Sequence, residues 1–429
     1  MCDKSDDLNW VVLAGGLGTR SANPELPKIL QEIGKGSLLE YLIDSLESSR
    51  AGKVIFVLRL GAEQIEARLI ALKPLFDWEI VFDQGKGPVS ALKESASFIT
   101  SDKFGCILGD TAVVAPLQTF KRLFLESGRA SAVVVRQTDH SSDSDQLSLD
   151  SSSEISEYAP KGMDIDSRSG FAWGISGITF LTKARVAELD SSSTDIAAAI
   201  FSKMRFDEIL PIRSSFFHRD SGTPSRLEKL RQEVSSGKVA FLKQRALSRP
   251  ALFVDRDGTL VPDQSQGRSE LRARELNISV SSIIKRASDL GIPVFLVSNQ
   301  PAIAKGFIDF EDLYQVTNTM QKLLLEQVGS NFDDFEFCPH HPERGFPGEV
   351  AELKVHCKCR KPDTQMFKSL ASRHGLSLAA SIMVGDTDAD LLAAKNLGMC
   401  FIDVNSSNFL TEAEDSLDKV LIDSHSSPF

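Results

Sequence analysis

The 429-residue sequence has no apolar run of the roughly 18 residues that a membrane-spanning helix needs. Its first ten residues, MCDKSDDLNW, are acidic and polar, so they lack the basic and then apolar segments of a secretory signal. Acidic residues outnumber basic ones, 59 to 48. The net charge of −11 argues against a large nucleic-acid surface and favours small anionic substrates held by local cations and metals. We therefore expect a cytoplasmic protein that binds neither membranes nor nucleic acid.

No residue-by-residue repeat relates the two halves, although both alternate short apolar runs with amphipathic stretches. A chain of this length exceeds what one hydrophobic core usually organises. The alternation predicts βα units and mostly parallel sheets. A new buried-strand pattern, ALFVD, begins directly after Pro250. We therefore predict two Rossmann-like α/β domains, 1–245 and 250–429. The Ser- and Asp-rich QTDHSSDSDQLSLDSSSE is predicted as a surface loop or short hairpin without chemistry.

The first half lacks both common phosphate-binding fingerprints. G-x-G-x-x-G would need glycine at Ser21, and G-x-x-x-x-G-K-[ST] does not occur. What is present is NWVVLAGGLGTR, a predicted strand followed by Gly15, Gly16 and Gly18. Backbone amides of such a loop can approach phosphates without interference from Cβ atoms. Taken alone, the loop fits a tight turn equally well.

Two cations follow this loop, Arg20 and Lys28 in GTRSANPELPKIL. The combination resembles the signature of the sugar-1-phosphate nucleotidyltransferases, AGG-x-GTR followed by PK. In such enzymes a sugar phosphate attacks the α-phosphorus of a nucleoside triphosphate, and the repulsion between the two anions must be neutralised. The resemblance implies that the glycine loop binds substrate, and that both cations and Mg²⁺ supply the neutralising charge.

The resemblance extends to three later residues. Asp110 in LGD and Asp220 in HRDSGTPSRL match the two metal-binding aspartates of the family. Lys161 in EYAPKG resembles the lysine that grips the sugar phosphate, with a solvated lysine as the alternative. The base-contacting run, GTGG-like in the family, is here GKGPVSAL, and Ile29 stands where proline is common. The sequence therefore leaves the identity of the base open.

In the second half, ALFVDRDGTL delivers Asp255 and Asp257 at the end of a predicted strand. Their period-two spacing turns both side chains the same way. A structural turn or a plain cation site is the alternative for the pair alone. However, D-x-D-G-T after an apolar strand resembles the first motif of the haloacid dehalogenase phosphatases. The later motifs follow in order, with Ser298 in VFLVSN, Lys361 in CRKP and Asp386 in MVGDTDAD.

That resemblance implies a capless haloacid dehalogenase-like domain in which Asp255 attacks phosphorus while Asp257 protonates the leaving oxygen and later activates water. Mg²⁺ is then held by Asp255, the backbone of Asp257, and Asp386. Asp390 either supports the metal ligands without binding the metal itself or caps the following helix. The predicted substrate-binding residues of this half are Ser298, Asn299, Arg360 and Lys361.

Cysteine is sparse except in one segment, FCPHHPERGFPGEVAELKVHCKCRKP. Cys338 with His340, and Cys357 with Cys359, form two i, i+2 pairs, and four N/S ligands suit tetrahedral Zn²⁺. A disulfide is the poorer alternative in a cytoplasmic protein. We predict a closed structural zinc site that pins the loop bearing Arg360 and Lys361.

This zinc loop, with CPHHP and CxCRKP, resembles that of the D-glycero-D-manno-heptose 1,7-bisphosphate phosphatases and the related histidinol phosphatases. The usual NQSGIARG is here NQPAIAKG. Removing the 7-phosphate leaves a sugar 1-phosphate, which a nucleotidyltransferase of the first type consumes. In the related pathway with α-configured heptose the donor is GTP. The two resemblances together imply a bisphosphatase fused to a D-glycero-D-manno-heptose 1-phosphate guanylyltransferase that makes GDP-heptose.

Two other interpretations remain open in the sequence. Both activities can serve another phosphorylated sugar, or histidinol phosphate for the phosphatase. Alternatively, the first half is a non-catalytic sugar-nucleotide-binding domain. That second alternative is disfavoured because the chain keeps all four of the charged residues that the resemblance implies, namely Arg20, Lys28, Asp110 and Asp220. The sequence gives no indication of oligomeric state.

Overall fold

The computed structural model describes residues 8–16, 26–138, 143–239, 248–262 and 275–426. These ranges form two α/β domains, one on each side of residues 240–247, which confirms the predicted fold class. The predicted boundary near residue 245 lies outside the described residues and stays a prediction.

The first domain is built on a nine-stranded sheet. Its parallel part has the order β6-β1-β4-β5, whereas β11 runs antiparallel to β6, β8 and β9. The strands of this domain are β1 Asn9–Leu13, β2 Glu32–Ile33, β3 Gly36–Ser37, β4 Lys53–Leu58, β5 Asp77–Phe82, β6 Lys103–Leu108, β7 Thr111–Val114, β8 Ser131–Arg136, β9 Gln146–Leu149, β10 Ile155–Ala159, β11 Phe171–Thr182, β12 Ile209–Arg213 and β13 Phe217–Asp220. The α-helices are α1 Leu38–Ser48, α2 Ala62–Leu72, α3 Pro88–Ser95, α4 Leu117–Ser127, α5 Lys183–Glu188, α6 Ile196–Lys203 and α7 Pro224–Ser235.

Strand β1 lies in the middle of this sheet and is buried on both faces. Its near-continuous apolar run is typical of a parallel strand covered by helices on each side. The ring of Trp10 meets the edge of Phe180 with centroids 5.3 Å apart. Gly105 on the neighbouring β6 leaves room for that indole, since a Cβ there would collide with it. The strand therefore ends at a fixed place, where the glycine loop begins.

The Ser- and Asp-rich segment forms part of a short hairpin, one of its two predicted forms, but the hairpin strand is buried rather than on the surface. It contains β9, a buried strand that forms a hairpin with β10 and also pairs with β11. Its polar residues Gln146 and Ser148 are buried because the strand has a neighbour on each side. With only Leu147 and Leu149 as apolar residues, the pattern was too short to indicate burial.

The second domain has a five-stranded parallel sheet in the order β16-β15-β14-β17-β18. Its strands are β14 Leu252–Val254, β15 Val294–Asn299, β16 Asp334–Cys338, β17 Ile382–Gly385 and β18 Cys400–Asp403. Its α-helices are α8 Ile278–Leu290, α9 Pro301–Ala304, α10 Phe310–Val328, α11 Gln365–His374, α12 Asp388–Leu397 and α13 Phe409–Ser426. Among the described helices of both domains, none combines the length and apolarity needed to cross a bilayer. All five strands end at the same edge of this sheet, so the residues that follow them meet there.

The two domains pack together through strand β11. Its first residue, Phe171, contacts the rings of Tyr314, Phe335 and Phe337, with centroids 4.5 to 5.7 Å apart. The side chain of Asn318 on α10 accepts from the amide of residue 172 at 3.0 Å and donates to the carbonyl of residue 170 at 2.9 Å. Aromatic packing and hydrogen bonds both cross the interface, so the domains are docked rather than merely tethered.

A buried charge network reinforces this docking. Asp334 at the start of β16 is fully buried and bonds Arg213 of the first domain at 3.1 Å and Arg373 at 2.8 Å. Burial opposes ionisation, but the two guanidinium groups outweigh it and hold the pKa of Asp334 below its usual range. His374 bonds the same carboxylate at 2.8 Å and the hydroxyl of Ser215, in the first domain, at 3.0 Å.

We expect His374 to make the protein less stable as the pH falls from about 6.5 to 4. Burial lowers the pKa of His374 to about 4, so the folded state stays unprotonated where the unfolded chain, with a pKa of about 6.5, already binds a proton. Proton binding therefore stabilises the unfolded state alone, and the free energy of unfolding should fall by about 3 kcal/mol over this range. Urea unfolding at several pH values measures it. His374→Gln should flatten the pH dependence by that amount, and an unchanged pH slope in the variant would contradict the expectation.

Candidate active sites

The first site lies where β7 and β13 form a two-stranded ribbon. Register pairs Thr111 with Asp220, which brings Asp110 and Asp220 to the same end. Ser221 fixes the turn, since its amide and its hydroxyl both donate to the carbonyl of Asp110, at 2.9 and 2.8 Å. Burial, and next the charge of Asp220, raise the pKa of Asp110. Lys28 opposes this rise from 3.5 Å away.

Two cavities meet at Lys28 and Asp110. One, of about 440 Å³, is bordered by Gly15 and Gly16, and the other, of about 300 Å³, by Lys161 and Asp220. Gly18 and Arg20 lie outside the described residues. A larger cavity of about 580 Å³ lies between the domains, but its described lining contains no predicted site residue. The two smaller cavities form the candidate site, because carboxylates and cations from several elements converge there.

Gly15 lies close to the Asp83 side chain. A Cβ at this position would come within 2.6 Å of the Asp83 carboxylate, so a larger residue there would require that side chain to turn away. Its backbone follows β1 directly, where Ala14 donates to the carbonyl of Val57 at 2.9 Å. The loop therefore starts from a rigid strand end.

The segment expected to carry no chemistry supplies charged groups to the second cavity. Asp143 forms ion pairs with Lys161 and Arg226, and Arg226 also pairs with Asp220. Lys161, and to a lesser extent Arg226, lower the pKa of Asp143. Asp145 accepts a hydrogen bond from the Tyr158 hydroxyl at 2.7 Å. Sequence reasoning missed these groups; the one available signal was Arg226 in the first turn of the helix that follows Asp220.

The second site lies at the carboxyl edge of the five-stranded sheet. Asp255 directly follows β14 and is 5% exposed. Its Oδ1 accepts from Nζ of Lys361 at 2.5 Å, and Lys361 also contacts Asp390 at 2.6 Å and the carbonyl of Val297 at 2.9 Å. Burial and the charge of Asp390 raise the pKa of Asp255 to about 6 against the pull of Lys361. For Lys361, burial would lower the pKa, but the two carboxylates outweigh it and raise it.

Asp257 is held away from this cluster. Its carboxylate accepts from the guanidinium of Arg256 twice, at 3.1 Å each, and from the amide of Gln300 at 2.7 Å. Ser298, at the end of β15, is buried and accepts from the same amide at 2.9 Å. Gln300, which no sequence motif indicated, thus hydrogen-bonds both Asp257 and Ser298.

Asn299 and Arg360 contact the protein itself. The Asn299 side chain accepts from the amide of Lys361 at 2.9 Å and donates to its carbonyl at 3.1 Å. Arg360 donates to the carbonyl of His340 at 3.4 Å. Because both functional groups of the Asn299 amide are engaged, this side chain holds the backbone of Lys361 in place.

Three carboxylates of this site can face a single cation. Oxygens of Asp255, Asp386 and Asp390 lie within 4.8 Å of one another, and such oxygens suit Mg²⁺. Thr259 holds Asp386 through a 3.1 Å hydrogen bond. Asp390 caps the start of α12 through Thr387 and also pairs with Lys361, so it combines the two roles left open by the sequence.

The four predicted zinc ligands meet in one cluster, namely Cys338, His340, Cys357 and Cys359. Their sulfur atoms are 3.2 to 3.5 Å apart, and Nδ1 of His340 lies 3.2 Å from the nearest sulfur. Zinc–sulfur bonds of about 2.3 Å in a tetrahedron would set the sulfurs about 3.8 Å apart, close to this spacing. The ligand atoms and their spacing therefore fit a zinc ion whose four coordination positions are all filled by protein side chains.

Known proteins resemble the two halves separately. Residues 10–241 match the family model of the MobA-like NTP transferase domain, and residues 358–422 match the HAD-hydrolase-like model. The second half is 34% identical over 176 residues to D-glycero-beta-D-manno-heptose-1,7-bisphosphate 7-phosphatase of Yersinia pestis, an alignment that spans 41% of this chain and 90% of that protein. The chain therefore belongs to the MobA-like NTP transferase family through its first half and to the family of this phosphatase through its second half. The corresponding enzyme of Helicobacter pylori is 33% identical over 146 residues, 34% of this chain and 78% of its own length.

Among solved structures, the nucleotidyltransferase half is similar to HddC from Yersinia pseudotuberculosis. The identity is 22%, with 53% of this chain and 99% of that one covered and a TM-score of 0.45. Family membership confirms the prediction that one polypeptide joins a nucleotidyltransferase to a phosphatase.

We expect Lys361→Met to destabilise the protein by about 3 kcal/mol or more, because it leaves the carboxylates of Asp255 and Asp390 buried without their cation. Urea unfolding in magnesium-free buffer measures the loss. Lys368→Met, on the exposed side of α11, is the matched control and should stay within about 0.5 kcal/mol. Equal stability of the two variants would contradict this account of the buried cluster.

Proposed function

We propose that the chain removes the 7-phosphate of D-glycero-D-manno-heptose 1,7-bisphosphate and transfers GMP from GTP to the resulting heptose 1-phosphate. The observation that carries the proposal is the presence, on one chain, of a phosphatase with this family's zinc loop and a separate nucleotidyltransferase site. The product of the first reaction is the kind of substrate that the second requires. The names of the curated relatives specify the β anomer, so both anomers belong in the assay.

In the proposed phosphatase reaction, Oδ of Asp255 attacks phosphorus and the bond to the C7 oxygen breaks. Asp257 gives its proton to that oxygen and then takes one from water, which releases phosphate and restores Asp255. Lys361 and the Ser298 hydroxyl bind phosphoryl oxygens. Mg²⁺ held by Asp255, the backbone of Asp257, and Asp386 would offset the repulsion between carboxylate and phosphate.

In the proposed transfer reaction, the nucleotide lies in the cavity bordered by Gly15 and Gly16, and the sugar phosphate in the cavity bordered by Lys161. The 1-phosphate oxygen attacks the α-phosphorus, and pyrophosphate leaves. Lys28 stands where the two cavities meet, so its charge faces both anions. Arg20 of the glycine loop keeps its predicted role as a second cation. Mg²⁺ at Asp110 and Asp220 would neutralise charge that builds on the reacting phosphates.

Single substitutions should separate the two activities. Asp255→Asn removes the nucleophile and should lower bisphosphate hydrolysis by at least roughly 10³-fold, while supplied heptose 1-phosphate still becomes nucleotide sugar. Asp110→Asn weakens the metal site and should do the reverse, so that 1-phosphate accumulates without pyrophosphate. Mass spectrometry of products with each nucleoside triphosphate measures both and identifies the base.

A folded Asp255→Asn protein that no longer uses supplied 1-phosphate would contradict the two-site proposal. Tight nucleotide binding by the wild type with no pyrophosphate release would instead favour a non-catalytic first half. If a different phosphorylated sugar or histidinol phosphate is turned over instead, the proposed reaction types would stand and the proposed substrate would be wrong.

The zinc proposal predicts one zinc per chain in protein purified without chelators. Cys357→Ser should lower both zinc content and phosphatase rate, because the cluster holds the loop that carries Lys361. Transfer from supplied heptose 1-phosphate should survive. Cys400→Ser changes an exposed thiol outside the cluster and should leave both readouts unchanged. Metal analysis that finds no zinc in the wild type would overturn the proposal.

A further inference from the structure

The side-chain amide of Gln300 joins the two groups that flank the transferred phosphoryl group in the proposed phosphatase mechanism. Its Nε2 donates to Oδ2 of Asp257 at 2.7 Å and to Oγ of Ser298 at 2.9 Å. Its Oε1 accepts from Nη2 of Arg256 at 2.7 Å. With 2% of Gln300 exposed, water has almost no access to compete for these contacts.

Only one orientation of this amide fits its neighbours. An amide nitrogen offers two hydrogens, and both are used here. A flipped amide would turn its oxygen toward the Asp257 carboxylate and its nitrogen toward the Arg256 guanidinium, so acceptor would face acceptor and donor would face donor. The charged neighbours therefore fix the rotation of the Gln300 side chain.

The backbone of Gln300 is fixed as well. It follows β15 and precedes the short helix α9, and its amide donates to the carbonyl of Cys338 at 2.7 Å. Cys338 belongs to the four-ligand cluster. Gln300 is therefore held at both its backbone and its side chain, between the cluster and the two motif residues.

Asp257 depends on this arrangement because its other partner is its own chain neighbour. Arg256 reaches the carboxylate in a two-pronged contact but is itself oriented by Gln300. Without the Gln300 side chain, Arg256 would lose the acceptor that orients it. The Asp257 carboxylate would lose one of its three hydrogen-bond donors.

We propose that Gln300 is a positioning residue that aims the carboxyl group of Asp257 at the leaving oxygen. The proposal rests on the acid role proposed above for Asp257. The affected step is cleavage of the bond between phosphorus and the ester oxygen, in which the proton of Asp257 moves to that oxygen as Asp255 bonds to phosphorus. An ester whose leaving group departs without a proton should bypass the requirement.

The test compares two esters in the full-length, zinc-containing protein. Gln300→Met keeps length and removes the amide; Gln300→Glu keeps the acceptor for Arg256 and loses the donor for Asp257. Single-turnover cleavage of heptose bisphosphate, and of glycerol 3-phosphate as a second alkyl ester, should fall roughly 10- to 100-fold, as expected for a misplaced catalytic group. The pre-steady-state burst of nitrophenolate from p-nitrophenyl phosphate should change less than about 3-fold, because that leaving group needs no proton.

Gln365→Met, at an exposed position on α11, is the matched control and should leave both esters unchanged. Crystal structures of the Gln300 variants should show the Asp257 carboxylate displaced. An equal loss for both ester types would assign Gln300 a purely structural role and overturn the proposal, as would an unmoved carboxylate or an unchanged alkyl rate. If Gln300→Met fails to hold zinc, Gln300→Glu and its crystal structure carry the test.

Asp257→Asn separates the failure of this proposal from failure of the proposed mechanism. It should show the same contrast between alkyl and aryl esters, only larger. If Asp257→Asn cleaves both esters alike, the acid role of Asp257 is wrong and the positioning role falls with it. Absence of heptose bisphosphate turnover in the wild type would overturn the substrate alone, since glycerol 3-phosphate still reports on Gln300.

Discussion

Carboxylates crowd both active sites, and the cations beside them are the interaction on which each site depends. Asp255 and Asp390 share the ammonium of Lys361, and Asp220 shares Arg226 with Asp143. Without these cations the carboxylates would repel one another in partly buried surroundings. In the proposed phosphatase mechanism, Lys361 would also bind phosphoryl oxygens. Charge is therefore arranged before substrate arrives, which avoids reorganisation during the reaction.

Parallel strands account for how residues far apart in sequence reach the phosphatase site. Asp255, Ser298, Cys338 and Asp386 follow or end four neighbouring strands, and their carboxyl ends share one edge. The loop that carries Lys361 has no strand to position it. Two residues of the four-ligand cluster, Cys357 and Cys359, lie just before Lys361 in the chain, and the backbone of Lys361 exchanges two hydrogen bonds with the Asn299 side chain. In the proposed structure with zinc bound, the cluster would hold this loop as the sheet holds the motif residues.

Short-range sequence patterns predicted most of the fold and the residues at the ends of strands. Two aspartates two residues apart, after an apolar strand, need only local geometry to face one way. Contacts between distant segments were not accessible in this way. Nothing near Gln300 indicates that its amide meets both Asp257 and Ser298, and nothing near Asp143 indicates Lys161. The docking of Phe171 against Phe335 was missed for the same reason, since both look like ordinary strand residues.

Strand β11 connects the second domain to a cavity of the first candidate site. Residue 171 packs against the phosphatase domain, and residues 174–177 of the same strand line the cavity beside Lys161. With a flexible tether, the effective concentration of an intermediate at the second site would vary with linker length and stiffness. A packed interface removes that variable. In the proposed reaction sequence, every molecule would therefore present the same distance between the site that releases the sugar 1-phosphate and the site that uses it.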